Sequence, residues 1–355
     1  MKFKFSVAPS YHNKVDTKQI MSDVAIALLF VSLCSIVLQY SLYGMEGSIR
    51  AILIIAIAVV TCYLVDFIFW KFMKTDKAKM KGKIQQNVPA ITGMILALTL
   101  PLGNLDSLAM LYVTFISAIV AELFGKLIYG GFGYNIFNPA GVGRAFALLA
   151  FGKYLVIPTI DTLSSSSPLA ALQGADGLEA VTKTFNDYSS LLFGAHQGAI
   201  GETIVIPLIL AAAYLIYKNV IDWVVPVFAM ATIGILAVIT SAFNGFNTDF
   251  VVVHLLSGGL IFGAVFMLTD PVTNPLNRQG KMIYAIVFAL ITFLIRTKAS
   301  LPEGVVFSIL IVNMLVPMID KFTANVTDQN VNKKVISVIV TLIIAILLTI
   351  LFQYV

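Results

Sequence analysis

The chain has 355 residues, of which 59% are hydrophobic and 12% charged, against about 45–50% and ~25% in soluble globular domains. A water-soluble globule is excluded. The net charge of +5 comes from basic residues in short segments between apolar runs, a pattern of membrane topology rather than of nucleic-acid binding. Cys34 and Cys62 are the only cysteines, so the chain alone cannot ligate an iron–sulfur cluster or a four-cysteine zinc ion.

A polar stretch with four lysines, Met1 to Ser22, precedes the first apolar run. No small-residue cleavage site ends that run, which therefore reads as a retained helix and not as a signal peptide. Apolar windows predict spans near 23–43, 50–70, 88–102, 107–128, 142–158, 200–217, 222–242, 250–269, 282–296, 303–319 and 335–354. Most approach the ~20 residues that cross a ~30 Å hydrocarbon core. With the N-terminus inside, 18 of the 23 Lys and Arg fall in inside segments and five outside. The positive-inside rule then predicts a cytoplasmic N-terminus. The connection from Thr159 to Gly198 is long, Ser-rich and expected outside. By itself, Ser164-Ser165-Ser166-Ser167-Pro168 reads as a flexible linker.

The two halves resemble each other in short motifs. Ile91-Thr92-Gly93 with Leu98-Thr99-Leu100-Pro101 in the third span parallels Leu256-Ser257-Gly258 with Leu268-Thr269-Asp270-Pro271 in the eighth. Asn138-Pro139-Ala140-Gly141-Val142 before the fifth span parallels Leu301-Pro302-Glu303-Gly304-Val305 before the tenth. Elements five spans apart have opposite membrane orientations. The expected fold is therefore an all-α polytopic membrane protein of two inverted five-helix repeats, about ten transmembrane helices plus a C-terminal eleventh. The corresponding division is an N-terminal tail at 1–22, a first repeat at 23–158, an external loop at 159–199, a second repeat at 200–320 and a cytoplasmic loop with the extra helix at 321–355.

Charged groups inside such a bundle are functional candidates, because lipid-exposed charge is costly. Asp66 and Glu122 fall toward the inner ends of their helices, where pairing with Lys71 or Lys126 is the plain structural role. Asp270 lies in Thr269-Asp270-Pro271-Val272-Thr273-Asn274-Pro275, whose two prolines break a helix and free carbonyls beside a carboxylate, suited to a cation or a cap. Glu303 and Asp320 flank the tenth span. The inner loop from Gly130 to Pro139 joins glycines to Asn135 and Asn138. Glycine admits close approach of a flat ligand, and carboxamides offer it both donors and acceptors. His12, His196 and His254 have no metal-ligand or catalytic spacing. No nucleophile–base pair, Walker loop or dinucleotide fingerprint is present.

Taken together, Phe137-Asn138-Pro139-Ala140 with Val142-Gly143-Arg144-Ala145-Phe146, Gly198-Ala199-Ile200-Gly201-Glu202-Thr203, Ser257-Gly258-Gly259 with Phe266-Met267-Leu268-Thr269-Asp270-Pro271-Val272, and Pro302-Glu303-Gly304 with Asn313 and Pro317-Met318-Ile319-Asp320 resemble the D subunit of the Rnf electron-transport complex. They are also similar to the B subunit of the sodium-pumping NADH:quinone reductase. The resemblance covers about residues 1–322. It implies a flavin-bearing subunit of a redox-driven pump that passes electrons between ferredoxin and NAD and moves Na+ or H+, with other membrane and peripheral flavin and iron–sulfur subunits as partners.

Family members carry FMN as a phosphoester at an outer-loop motif of the form Asp-x-x-Ser/Thr-Gly-Ala-Thr. Asp161 and Ser164 keep that spacing, and Ser167 stands at the attachment position with Ser166 as the alternative. Here Gly, Ala and Thr of the motif are all Ser. The resemblance also implies a second flavin, riboflavin, near the inner loop at Asn135 and Asn138. Ion coupling falls to Asp270, Glu303, Glu122 and Asp66, without a bound metal. The competing classes are a small-solute transporter or channel of inverted-repeat type, and a scaffold subunit that has lost its covalent flavin.

Overall fold

A straight helix from Thr17 to Phe72 would exceed 80 Å at 1.5 Å per residue, far more than a bilayer. In the computed structural model, which describes residues 17–105, 107–155, 192–194, 198–257, 259–299, 304–324 and 331–353, this segment forms α1 (Thr17–Phe72) but is broken at Gly44, where φ is 66° and ψ −156°. Only glycine takes that conformation without strain. Ile20, Met21 and Val24 of the first arm line the same cavity as Asn87, and Asn87 donates to Asp66 of the second arm at 2.7 Å. The two arms therefore double back on each other at Gly44.

The remaining elements follow as α2 (Lys77–Asn87), α3 (Pro89–Leu98), α4 (Ala109–Gly125), α5 (Pro139–Phe151), α6 (Val205–Tyr217), α7 (Val224–Asn244), α8 (Thr248–Leu256), α9 (Leu260–Phe262, continued by a π-turn at Gly263–Met267), α10 (Arg278–Lys298), α11 (Gly304–Ala324) and α12 (Val331–Gln353). Among the described residues no regular element is a strand. In the first half, α1 packs on α3 and α4, and α4 on α5; in the second, α7 packs on α10 and α10 on α11, with α12 against α10 and α7, and α6 joins the halves by packing on α1. Leu33, Val37, Ile68, Leu149, Ile343 and Leu347 are among the large apolar side chains left exposed. Such an outer face suits hydrocarbon and not water.

Among the described residues, six helices are long and apolar enough to cross a membrane, or up to seven if α8 and α9 count as one bent span. This is fewer than the eleven spans expected. α1 holds two of the expected spans in one element. The expected third span, 88–102, ends as a helix at Leu98, before Pro101, and α5 and α6 have 13 residues each. The expected eighth span, 250–269, is interrupted after Leu256. The segment 71–87, expected as a loop, contains α2.

Broken helices leave backbone groups that apolar surroundings cannot satisfy, and each break here has a partner. Ile200 N donates to Leu100 O at 3.0 Å and Gly201 N to Leu98 O at 2.8 Å, closing the end of α3. Arg296 of α10, buried, donates to His254 O at 2.7 Å and Ser257 O at 3.1 Å, closing the end of α8. Arg50 holds the turn after α3 through Asn104 O, Leu105 O and Ser107 O.

Candidate functional site

The start of α3 and the end of α9 meet at the end of the bundle away from Gly44, and a cavity lies between them. Its volume is ≈ 70 Å³, and it opens to the surroundings. Its walls come from the first arm of α1 (Ile20, Met21, Val24), the α2–α3 junction (Asn87, Val88), α3 (Ile91, Thr92, Ile95), the inner loop (Phe132, Asn135) and the segment after α9 (Thr269, Asp270, Pro271). An apolar cleft with a few convergent polar groups is the usual form of a cofactor site. Among the described residues on its walls, Lys126 brings the one positive charge and Asp270 the one negative.

One wall is a buried polar chain. Asp66 Oδ1 accepts from Trp70 Nε1 at 3.0 Å and from Asn87 Nδ2 at 2.7 Å. Asn87 also accepts from Phe132 N through Oδ1 and from Lys126 Nζ through its backbone carbonyl, both at 3.0 Å. Lys126 Nζ donates further to Thr92 Oγ1 at 2.7 Å and to the Glu122 carboxylate at 2.9 and 3.0 Å. Glu122 thus pairs with Lys126. Asp66 does not reach the interface or Lys71: it is fully buried and held by Asn87 and Trp70. Two details keep Asn87 in place. Gly131, at φ 100°, stands so close that a Cβ there would meet Asn87 Oδ1 at 2.6 Å. Val88 occupies the left-handed region at φ 47°, ψ 55°, which strains a β-branched residue.

The two inner-loop asparagines have different roles. Asn138 caps α5: its Oδ1 accepts from Gly141 N at 3.1 Å and its Nδ2 donates to Met267 O at 3.2 Å, tying α5 to the end of α9. With the Asn313 carboxamide oxygen turned toward it, Asn138 N donates to that oxygen at 2.9 Å, and the Asn313 amide donates to Tyr284 Oη at 2.8 Å. Asn135 Nδ2 donates to Phe137 O at 3.0 Å. Its Oδ1 is buried and has no hydrogen-bond partner among the described residues. A buried acceptor without a donor costs about 1–3 kcal/mol, and a ligand donor in the cavity relieves that cost.

Asp270 turns the chain after α9. Its Oδ1 accepts from Val272 N at 3.4 Å and its Oδ2 from Thr273 Oγ1 at 3.2 Å. Asp320 is elsewhere, accepting from Leu276 N at 3.0 Å. Glu303 and the serine loop with Asp161, Ser164, Ser166 and Ser167 lie outside the described residues. Sequence reading misses Asn87 as a site residue and casts Lys126 only as a salt-bridge partner. The one available signal is Asn87-Val88-Pro89, where proline opens a short helix after a polar residue.

An all-α membrane bundle with broken helices around a mostly apolar cleft that holds a few polar groups defines the class of the protein. The chain belongs to the NQR2, RnfD, RnfE family, whose model matches residues 4–328. It is 34% identical to the D subunit of the proton-translocating ferredoxin:NAD(+) oxidoreductase complex of Clostridium ljungdahlii, over 90% of this chain and 94% of that one. It is 30% identical to the D subunit of the Na(+)-translocating ferredoxin:NAD(+) oxidoreductase complex of Acetobacterium woodii, over 90% and 92%. It is 27% identical to the D subunit of the ion-translocating oxidoreductase complex of Citrobacter koseri, over 91% and 98%.

Proposed function

We propose that the chain is the flavin-carrying membrane subunit of an Rnf-type ion-translocating ferredoxin:NAD oxidoreductase, working with the other subunits of that complex in a prokaryotic cell membrane. The cavity binds the flat ring of riboflavin. The observation that carries this reading is the buried Asn135 Oδ1, without a partner among the described residues, on a mostly apolar wall; such an acceptor matches the ring N–H of an isoalloxazine. A flavin there supplies one- and two-electron transfer. The chain's own part is to hold and shield: Ile91, Ile95, Val265 and Phe266 exclude water from the ring, Asn135 fixes its orientation, and Asn138 fixes the loop that carries Asn135. A second flavin, FMN, is attached as a phosphoester at Ser167, with Ser166 as the alternative.

Movement of Na+ or H+ follows charge changes in the cavity through Asp270 on its wall and through Glu122 and Asp66 behind it, with Glu303 as the corresponding group of the tenth span. The whole is arranged as two inverted five-helix repeats with the N-terminus in the cytoplasm. In support, α3 starts at the cavity end and α9 finishes there, so related broken helices run in opposite directions.

The test is denaturing extraction of the purified chain. Released riboflavin in wild type, and its loss in Asn135→Leu with gel-bound flavin fluorescence retained, is the expected result. A colourless chain that moves solute in liposomes would establish the transporter reading instead.

A further inference from the structure

We infer that Lys126 is the positioning residue that makes the cavity favour the negatively charged, reduced form of its ligand. This rests on the flavin reading above but concerns a residue outside that assignment.

The ammonium is held in place by the surrounding backbone and side chains. Four oxygens, Asn87 O, Thr92 Oγ1 and both Glu122 carboxylate oxygens, lie within 2.7–3.0 Å of Nζ. Lys126 follows the last residue of α4, and its side chain is 3% exposed, so it has little freedom to swing into water. The decisive point is the order of the charges. Lys126 lines the cavity and Glu122 does not, so of the two charges the residue that carries the positive one is the nearer to whatever binds there. Carboxylates that oppose this are Glu122 at 2.9 Å from the ammonium, Asp270 on the facing wall and Asp66 behind Asn87, all of which interact electrostatically with Lys126. No other cation among the described residues lines the site.

One electron added to a bound ring, with no bond made and no proton taken up, adds one negative charge. A fixed positive charge ~8–12 Å away at an effective dielectric of ~20 stabilises that charge by roughly ten- to thirtyfold in equilibrium constant. The same ammonium gives little to the neutral, oxidised ring. Lys126 therefore acts on the difference between the two states and not on binding as such.

The experiment is a redox titration of the non-covalent flavin in purified, detergent-solubilised protein, with dithionite as the electron source and flavin content measured after extraction. Lys126→Gln is expected to lower the one-electron midpoint potential by about tenfold in the reduction constant, which is ~60 mV. Lys126→Arg is expected to keep it near wild type. Glu122→Gln, which uncovers the positive charge, is expected to raise it. Opposite signs at the two positions distinguish electrostatics from a loosened pocket, which would move both the same way. The double variant Lys126→Gln with Glu122→Gln leaves no bare buried carboxylate, so it keeps the test open if Lys126→Gln alone unfolds; it is expected to fall below wild type. Wild-type protein with no extractable riboflavin would overturn the functional reading. Bound flavin with the same potential in wild type and in the double variant would overturn the role of Lys126.

Discussion

Two asparagines three residues apart invite one explanation, yet Asn138 spends its polar groups on protein and Asn135 keeps one in reserve. Asn138→Ala removes the α5 cap and the link to Met267 O, and is expected to cost about 1–2 kcal/mol. Asn135→Leu removes an acceptor that no protein donor among the described residues uses. Thermal unfolding in detergent should therefore separate them: a clear drop for Asn138→Ala, little change for Asn135→Leu, with ligand retention lost in the latter. Asn87→Leu is the harshest of these changes. It leaves Asp66 buried without its 2.7 Å donor and Phe132 N without its acceptor, and the expected cost is about 3 kcal/mol or more. A variant as stable as wild type would mean that the Asp66 chain is not a structural unit.

At the scale of elements, the sequence is informative about existence and poor about interruption. Apolar windows identify every long helix, because hydrocarbon length is written directly in composition. The repeat of Leu98-Thr99-Leu100-Pro101 in Leu268-Thr269-Asp270-Pro271 marks the ends of α3 and α9, and the break after α8 is signalled separately by the glycines that follow Ser257. What closes those breaks is not legible, since the donors lie far along the chain. Arg296, by sequence only an outside charge, turns inward to the carbonyls of His254 and Ser257. Of the site, Asp270, Glu122 and Asp66 stand out in the sequence as charges within or beside apolar spans, and Asn135 and Asn138 as carboxamides in a glycine-containing loop. Asn87 does not, because its importance comes from folding back onto Asp66 of the α1 hairpin. Arg296→Leu strips two charge-assisted hydrogen bonds from buried carbonyls, with an expected loss of about 3 kcal/mol, read as earlier unfolding in detergent. Arg296→Lys, with a single point charge, should recover part of it.

For the whole molecule, α4 fixes the relation between ends: it runs from Leu108, exposed, to Lys126 at the cavity. If the cavity end is cytoplasmic, as the charge bias requires, a membrane-impermeant thiol reagent applied to cells should reach Leu108→Cys and spare Lys74→Cys, both in a background without Cys34 and Cys62. The reverse pattern would invert the orientation. The C-terminal helix α12 touches the core through α10 and α7, with a 2.6 Å bond from Gln279 Nε2 to Ser337 Oγ, and has no part in the cavity wall. Removal of residues 331–355 is expected to lower thermal stability while leaving ligand content intact.

The pairing of Ile200 and Gly201 with the end of α3 also bears on synthesis. α3 leaves the ribosome about 100 residues before its partner, a delay of roughly 5–20 s at ~5–20 residues per second. During that interval the Leu98 and Leu100 carbonyls lack the amide donors that later close them, and an unsatisfied carbonyl in hydrocarbon costs several kcal/mol. The first half is thus an incomplete product that waits for the second. Expressed alone, residues 1–158 should be cleared by membrane proteases, and supplying 159–355 from a second transcript should rescue them.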